Sequence, residues 1–153
     1  MKVLFVGLGS IGQRHLRNLL TLLPDAEIMA LRSMRTVPLL SSENQVQTGP
    51  TVKDKYSIIE FDNLSEALKE QPNIIFITNP SSMHIKIAHK AIETGAFIFI
   101  EKPLSDQWDG IEDLLAAENA CGEKKVVVGY QYRFHPALKM IKENIKTGRI
   151  GTI

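Results

Sequence analysis

Short apolar runs alternate along the chain with longer segments whose apolar residues recur at helical spacing. The run KVLFV opens the series as a strand. After it, Ile11, Leu16, Leu19, Leu20 and Leu23 fall on one face of a helix predicted over Ile11 to Leu23. The pattern then repeats. EIMAL and SIIEF read as strands, a short helix starts at about Ser65, and NIIFIT is a strand. A helix starts near Ser82, AFIFI is a strand, a helix starts near Asp106, and KVVVG is a strand. Alternation of this kind predicts an α/β fold, a doubly wound parallel sheet covered by helices on both faces.

Local signals support these boundaries. Asn63 followed by Glu66 fits a capping arrangement, and Ser81 or Ser82 is placed to cap the next helix. Gly95 stands where that helix should stop, and Pro136 suits a first helical turn. Ser33 to Lys55 has two prolines, one glycine and no clear period, so it reads as a surface loop, with a short helix expected around Pro38 to Glu43. There is no internal repeat and no low-complexity tract.

Composition narrows the partners. A chain of 153 residues with 44% hydrophobic content supports one core, hence a single domain over residues 1–153. A net charge of +1 without a basic run argues against nucleic acid and gives no case for a membrane. Cys121 is the only cysteine, which excludes an internal disulfide and fits a reducing, cytoplasmic setting. The apolar run Val3 to Val6 is too short for a signal-peptide core or a membrane span.

Chemistry enters at GLGSIG, which sets Gly7, Gly9 and Gly12 in G-x-G-x-x-G spacing between the first strand and the first helix. Gly7 serves a tight turn, Gly9 lets the backbone approach a pyrophosphate, and Gly12 permits close helix packing, with the helix N-terminus facing the anion. Gly7, Gly9, Ser10, Ile11 and Gly12 are therefore assigned to a dinucleotide cofactor; the competing reading is a glycine-rich turn without a ligand. Many such folds carry an acidic residue after the second strand to hold the adenosine ribose, but this chain offers ALRSMR. Arg32, Ser33 and Arg35 supply cations and a hydroxyl instead, which suits a 2′-phosphate and favours NADP over NAD. Solvated loop arginines are the alternative at that position.

A further apolar run, Phe97 to Ile100, ends in Glu101, Lys102 and Pro103, at the carboxyl end of a strand, where open α/β sheets bind ligands. Together with ITNPSSMHIKIAHKAIETG, GYQYRFHPALKMIKENIKTGRIG and GLGSIGQRHLRNLL, this E-K-P stretch resembles the amino-terminal half of the Gfo/Idh/MocA oxidoreductases, over nearly the whole chain. The resemblance implies a Rossmann-type domain using NADP or NAD, acting on a secondary alcohol of a sugar or nucleotide sugar. It implies that Lys102 hydrogen-bonds the reacting hydroxyl beside the nicotinamide, with Glu101 and Pro103 shaping the turn. Asn79 and Pro80 are implied to pass under the cofactor, with Ser82 and His84 opening the next helix. Tyr130, Gln131, Arg133 and Pro136 are implied to follow the substrate cleft. A lysine beside a carbinol oxygen favours the developing alkoxide as hydride leaves, which agrees with that role.

The remaining chemistry-bearing residues read as structural. His84 and His89 are five apart, hence on different helix faces, and no histidine pair has zinc spacing, so no metal is expected. His15 is read as a packing or helix-orienting residue and His135 as a helix cap. Trp108, Leu114 and Leu115 are read as core.

The resemblance also implies a second domain after IKTGRIG, an open sheet with an Asp and His pair that forms the subunit interface of a homo-oligomer. Residues 136–153 are then the segment leading towards it, and weak turnover is expected of the chain alone. Two other readings are a non-catalytic dinucleotide sensor or scaffold, and S-adenosylmethionine as the ligand of the glycine loop. The missing carboxylate near Arg32 counts against the latter.

Overall fold

The computed structural model describes residues 1–32 and 37–151. Its elements alternate as read from the sequence. They are β1 (Lys2–Val6), α1 (Ser10–Leu22), β2 (Glu27–Leu31), α2 (Val52–Tyr56), β3 (Ile59–Phe61), α3 (Leu64–Lys69) and β4 (Ile74–Ile77). Then follow α4 (His84–Ile92), β5 (Phe97–Ile100), α5 (Ile111–Ala120), β6 (Val126–Val128) and α6 (Pro136–Lys146), with 3-10 turns at Ser81–Met83 and Gln131–Phe134. The six strands form one sheet in the order β3-β2-β1-β4-β5-β6, and every pair is parallel.

Both faces of β1 are buried, as a central strand requires. Val3 and Phe5 join Ile28, Ala30, Leu16, Leu19, Leu39 and Val52 on the side of α1 and α2. Leu4 and Val6 join Met29, Ile75, Ile77, Ile98 and Ile100 on the other side, with Ala88 of α4 and Leu114 of α5. Successive side chains of a strand alternate between faces, so one pentapeptide seeds two cores. The chain leaves β1 for β2 on one side and reaches β4 on the other. The carboxyl ends of β1 and β4 therefore flank the switch point, the crevice where ligands bind in open α/β sheets.

Four expectations are corrected. Pro38 to Glu43 forms no helix: Leu40 bridges Val46 antiparallel, and the helix of this segment lies at Val52–Tyr56. Thr51 caps it, accepting from Asp54 N while the Asp54 carboxylate accepts from Thr51 N. The loop is held to α1 by Gln13, fully buried, whose amide donates to Leu8 O and Pro38 O and accepts from Leu40 N at 2.8 Å. Second, α5 begins at Ile111 and not near Asp106, because Gly110 at φ +77° forms its N-cap, a backbone state that glycine adopts without strain. Third, neither Ser81 nor Ser82 caps α4; Met83 does, without a side-chain bond, after the 3-10 turn. Fourth, Trp108 is 88% exposed and Leu115 53% exposed, while Leu114 is core. Adjacent helical residues lie about 100° apart, so only one of the two leucines reaches α4 and the sheet.

Gly95 does follow α4, donating to Ile92 O. His135 caps α6, its Nδ1 accepting from Ala137 N, and Pro136 takes the first helical position. No residue of α6 is buried. No helix among the described residues is long and apolar enough to cross a membrane.

Candidate active site

The turn after β1 is built by steric exclusion. At Gly7, φ is +96°, and an added β-carbon would sit 2.9 Å from Asn79 N, in the turn that follows β4. A β-carbon at Gly12 would collide with the Gly7 carbonyl oxygen and lie 2.9 Å from Thr78 Oγ1. Thr78 Oγ1 donates to the same Gly7 carbonyl at 2.6 Å, locking the turn to β4. Gly9 is different: a β-carbon there meets nothing within 4 Å, so the backbone is open at the N-cap of α1. Ser10 and Ile11 start the helix, and its first turn carries no acidic side chain. Its unpaired N–H groups are available to an anion.

Beside this turn lies a cleft of about 710 Å³ at the carboxyl ends of β4, β5 and β6. One face of α1, Ile11, Arg14, His15 and Asn18 at i, i+3, i+4 and i+7, forms its first wall. Asn79, His84, Glu101 and Lys102 line its floor, and Tyr130 and Gln131 its far side. Pro80 and Arg133 do not line the cleft, although Pro80 adjoins it between Asn79 and Ser81.

Asn79 tests the fit of a ligand. Its Nδ2 and Oδ1 are both buried without a hydrogen-bond partner in the protein. Buried polar groups are nearly always paired, and an unpaired amide costs about 1–3 kcal/mol. A dinucleotide lying from the open Gly9 backbone across Asn79 would supply the missing partners. The residues present therefore fit such a cofactor.

Two histidines fix the turn that carries Lys102. His84 is buried, with Nδ1 3.0 Å from Pro103 O and Nε2 2.8 Å from Asn79 O. It joins the turns after β4 and β5 and touches the cleft as a brace. His15 Nε2 lies 2.7 Å from Glu101 Oε1, and Glu101 Oε2 accepts from Lys102 N at 3.0 Å. The His15 ring packs against Phe99 and Phe76, at 4.8 and 5.7 Å between centroids. Lys102 itself is exposed, and its ammonium makes no hydrogen bond or ion pair among the described residues. The sequence marked His15 as orienting or packing but gave no partner for it. The polar stripe of α1 beside its apolar one was the available signal.

At the other end of the site, Arg32 Nη1 pairs with Glu60 Oε1 of β3 at 2.9 Å, and Lys53 Nζ stands 3.7 Å from Glu60 Oε2. The backbone N–H of Arg32 donates to Phe61 O. Ser33 and Arg35, assigned to the cofactor with Arg32, lie outside the described residues. Among the described residues no three His, Cys, Asp or Glu side chains gather as metal ligands.

A doubly wound sheet with a glycine turn at its switch point defines a dinucleotide-binding domain. The chain belongs to the Gfo/Idh/MocA oxidoreductases, the oxidoreductase family with an NAD-binding Rossmann fold, which it matches over residues 1–130. It is 33% identical over 150 residues to the scyllo-inositol 2-dehydrogenase (NAD(+)) of Bacillus subtilis strain 168, covering 95% of this chain and 40% of that one. It is 26% identical over 153 residues to an inositol 2-dehydrogenase/D-chiro-inositol 3-dehydrogenase of Lacticaseibacillus casei, covering 99% and 42%. Among solved structures, scyllo-inositol dehydrogenase from Lactobacillus casei with bound NAD(H) and scyllo-inositol superposes with a TM-score of 0.77 at 23% identity, over 100% of this chain and 43% of that one. The WlbA dehydrogenase of Bordetella pertussis, in complex with NADH and UDP-GlcNAcA, gives 0.78 at 22%, over 100% and 41%. These structural likenesses establish the fold. The chain spans about two fifths of the length of the curated relatives it matches.

Proposed function

We propose that this domain holds a nicotinamide dinucleotide along the glycine turn and presents Lys102 to a secondary alcohol, or the matching ketone, of a sugar, polyol or nucleotide sugar. The observation that carries the reading is an unpaired ammonium at the end of β5 facing the same cleft as the unpartnered amide of Asn79. The first turn of α1 receives the pyrophosphate at Gly9, and Asn79 pairs its amide with the bound molecule. When bound, the nicotinamide supplies or accepts the hydride. Lys102 donates to the substrate oxygen and stabilises negative charge on it while the C–H bond breaks or forms. Inositols and a nucleotide sugar are named with the relatives described above, which supports this substrate class.

Arg32 carries the choice between NADP and NAD. A guanidinium attracts a 2′-phosphate, but the carboxylate of Glu60 already engages it at 2.9 Å. We therefore infer a modest preference for NADPH, limited by Glu60. We also infer residence in the cytoplasm, which the single cysteine supports, and a homo-oligomeric whole protein, which the exposed Leu138, Ile141 and Ile145 of α6 support.

A fluorescence titration of the chain with NADPH and NADH tests the cofactor reading: saturable binding of both, tighter for NADPH, is expected, and binding of neither overturns it. For the chemistry, Lys102→Met is compared with the native residue in protein carrying the family's second domain, offered inositols, aldoses and nucleotide sugars. Loss of turnover with dinucleotide binding intact is expected. Turnover undiminished by Lys102→Met would overturn the role given to Lys102, and no turnover in the native protein with any of these substrates would favour a dinucleotide-binding module without chemistry.

A further inference from the structure

We infer that His15 is a positioning residue whose task is to hold the Glu101 carboxylate away from the neighbouring Lys102, leaving the lysine ammonium unpaired in the cleft. The inference rests on the reading of Lys102 as the substrate-facing cation. It begins from an arrangement that invites the opposite outcome: an acid and a base adjacent in the chain, at the mouth of a cleft, that do not pair.

Both oxygens of Glu101 are committed elsewhere. Oε1 lies 2.7 Å from His15 Nε2, and Oε2 accepts from the backbone N–H of Lys102 at 3.0 Å. A carboxylate oxygen accepts, so the ring nitrogen facing it is assigned the proton. The His15–Glu101 pair is well shielded, with side chains 21% and 13% exposed. A charge-assisted bond in such surroundings is stronger than a pair formed in water.

The ring cannot easily leave. It lies against Phe99 and Phe76, and Phe76 in turn stacks on Phe5 at 4.8 Å. Gly129, just after β6, keeps room for Phe99 beneath the imidazole: a β-carbon there would come within 2.7 Å of Phe99 Cζ, while meeting Glu101 Oε1 only at ordinary contact distance. On the other flank, His84 holds the Pro103 carbonyl. The turn is thus tied on both sides of Lys102, one tie reaching back to the helix that starts at the glycine turn. Without the His15 donor, Oε1 loses its partner, and Lys102, the next residue in the chain and on the same cleft, is a cation it can turn to.

An ion-paired amine acylates more slowly than a free one, and this reads out the pairing without any turnover. The protein is pulsed with an N-hydroxysuccinimide acetate ester, and acetylation of Lys102 is followed by peptide mass spectrometry against the other lysines of the chain. His15→Ala is expected to slow Lys102 about fivefold, the scale of one partly exposed ion pair. His15→Gln, which keeps a donor, restores most of the rate, and adding Glu101→Gln to His15→Ala abolishes the slowing. An unchanged Lys102 rate in folded His15→Ala overturns the inference, as does equal slowing in the Glu101→Gln background. Glu101→Asp provides the same test without touching α1: it keeps the charge but draws it back from His15. Slowing of Lys102 supports the inference and an unchanged rate refutes it. None of these readings depends on whether Lys102 proves catalytic, so failure here is distinct from failure of the proposed reaction.

Discussion

Thr78 closes directly over Gly12: a β-carbon at Gly12 would lie 2.9 Å from the threonine hydroxyl, which is itself fixed at 2.6 Å to the Gly7 carbonyl. Alanine at Gly12 must therefore push α1 away from β4 or break that bond. Overpacking of this kind costs about 1–3 kcal/mol. Gly12→Ala is expected to lower the urea midpoint correspondingly and to weaken NADH binding, read on the same sample by fluorescence. Gly9→Ala, which has open space, should keep the native midpoint and lose affinity alone.

Asn79 separates stability from binding. Its buried amide has no partner in the protein. Asn79→Leu, close in volume and apolar, removes an unsatisfied group and should leave the melting temperature unchanged or raise it. The same substitution should weaken dinucleotide binding about tenfold or more, since one to two hydrogen bonds are lost. Isothermal titration beside thermal melting checks both directions.

Coenzyme preference should move with the pair at the edge of the sheet. Glu60→Gln removes the carboxylate that holds Arg32 at 2.9 Å and is expected to increase the ratio of NADPH to NADH affinity. Arg32→Ala should lower that ratio towards one. Equal ratios in all three proteins would place the discrimination elsewhere.

Acid should loosen the join between α5 and β6. Glu118 is buried, and desolvation pushes its carboxyl up. The opposing hydrogen bonds, from Val126 N at 2.8 Å first, then Lys124 and Lys125, outweigh it, so the group is held below its ordinary value of 4.5. A carboxyl depressed by folding stabilises the native state above the ordinary value and loses that contribution as pH falls through the folded value. Urea midpoints of the native protein should therefore decline more steeply between about pH 5 and pH 3 than those of Glu118→Gln, which titrates no group at that position. At neutral pH, Glu118→Ala should cost about 1–3 kcal/mol by leaving two N–H groups unmet.

The strands were legible because burial on both faces demands apolar residues throughout, and VLFV, IIFI and FIFI advertise that demand. The glycine turn was legible because its constraints act within six residues of chain. What escaped depends on partners far away. His15 meets Glu101 across 86 residues, and Gln13 meets Pro38 and Leu40 from another element, so no local period announces either. The start of α5 is set by Gly110, whose backbone geometry begins the helix four residues after Asp106, and a side-chain pattern does not mark such a start. Trp108 was assigned to the core on hydrophobicity alone, but it stands on the loop after β5, outside a sheet whose faces are already covered.

The place of β1 in the sheet has a consequence for how the protein comes into being. It is made before the other strands of its sheet, yet its second neighbour, β4, starts to pair at Ile74, opposite Val3. At about 5–20 residues per second of translation, β1 waits roughly 4–14 s with one apolar edge unmatched. The glycine turn cannot close before then, because Thr78 and Asn79, against which it packs, do not yet exist. The cleft is thus built only once β4 and the turns beyond it have been made, and until then the earliest strand of the sheet stands half paired.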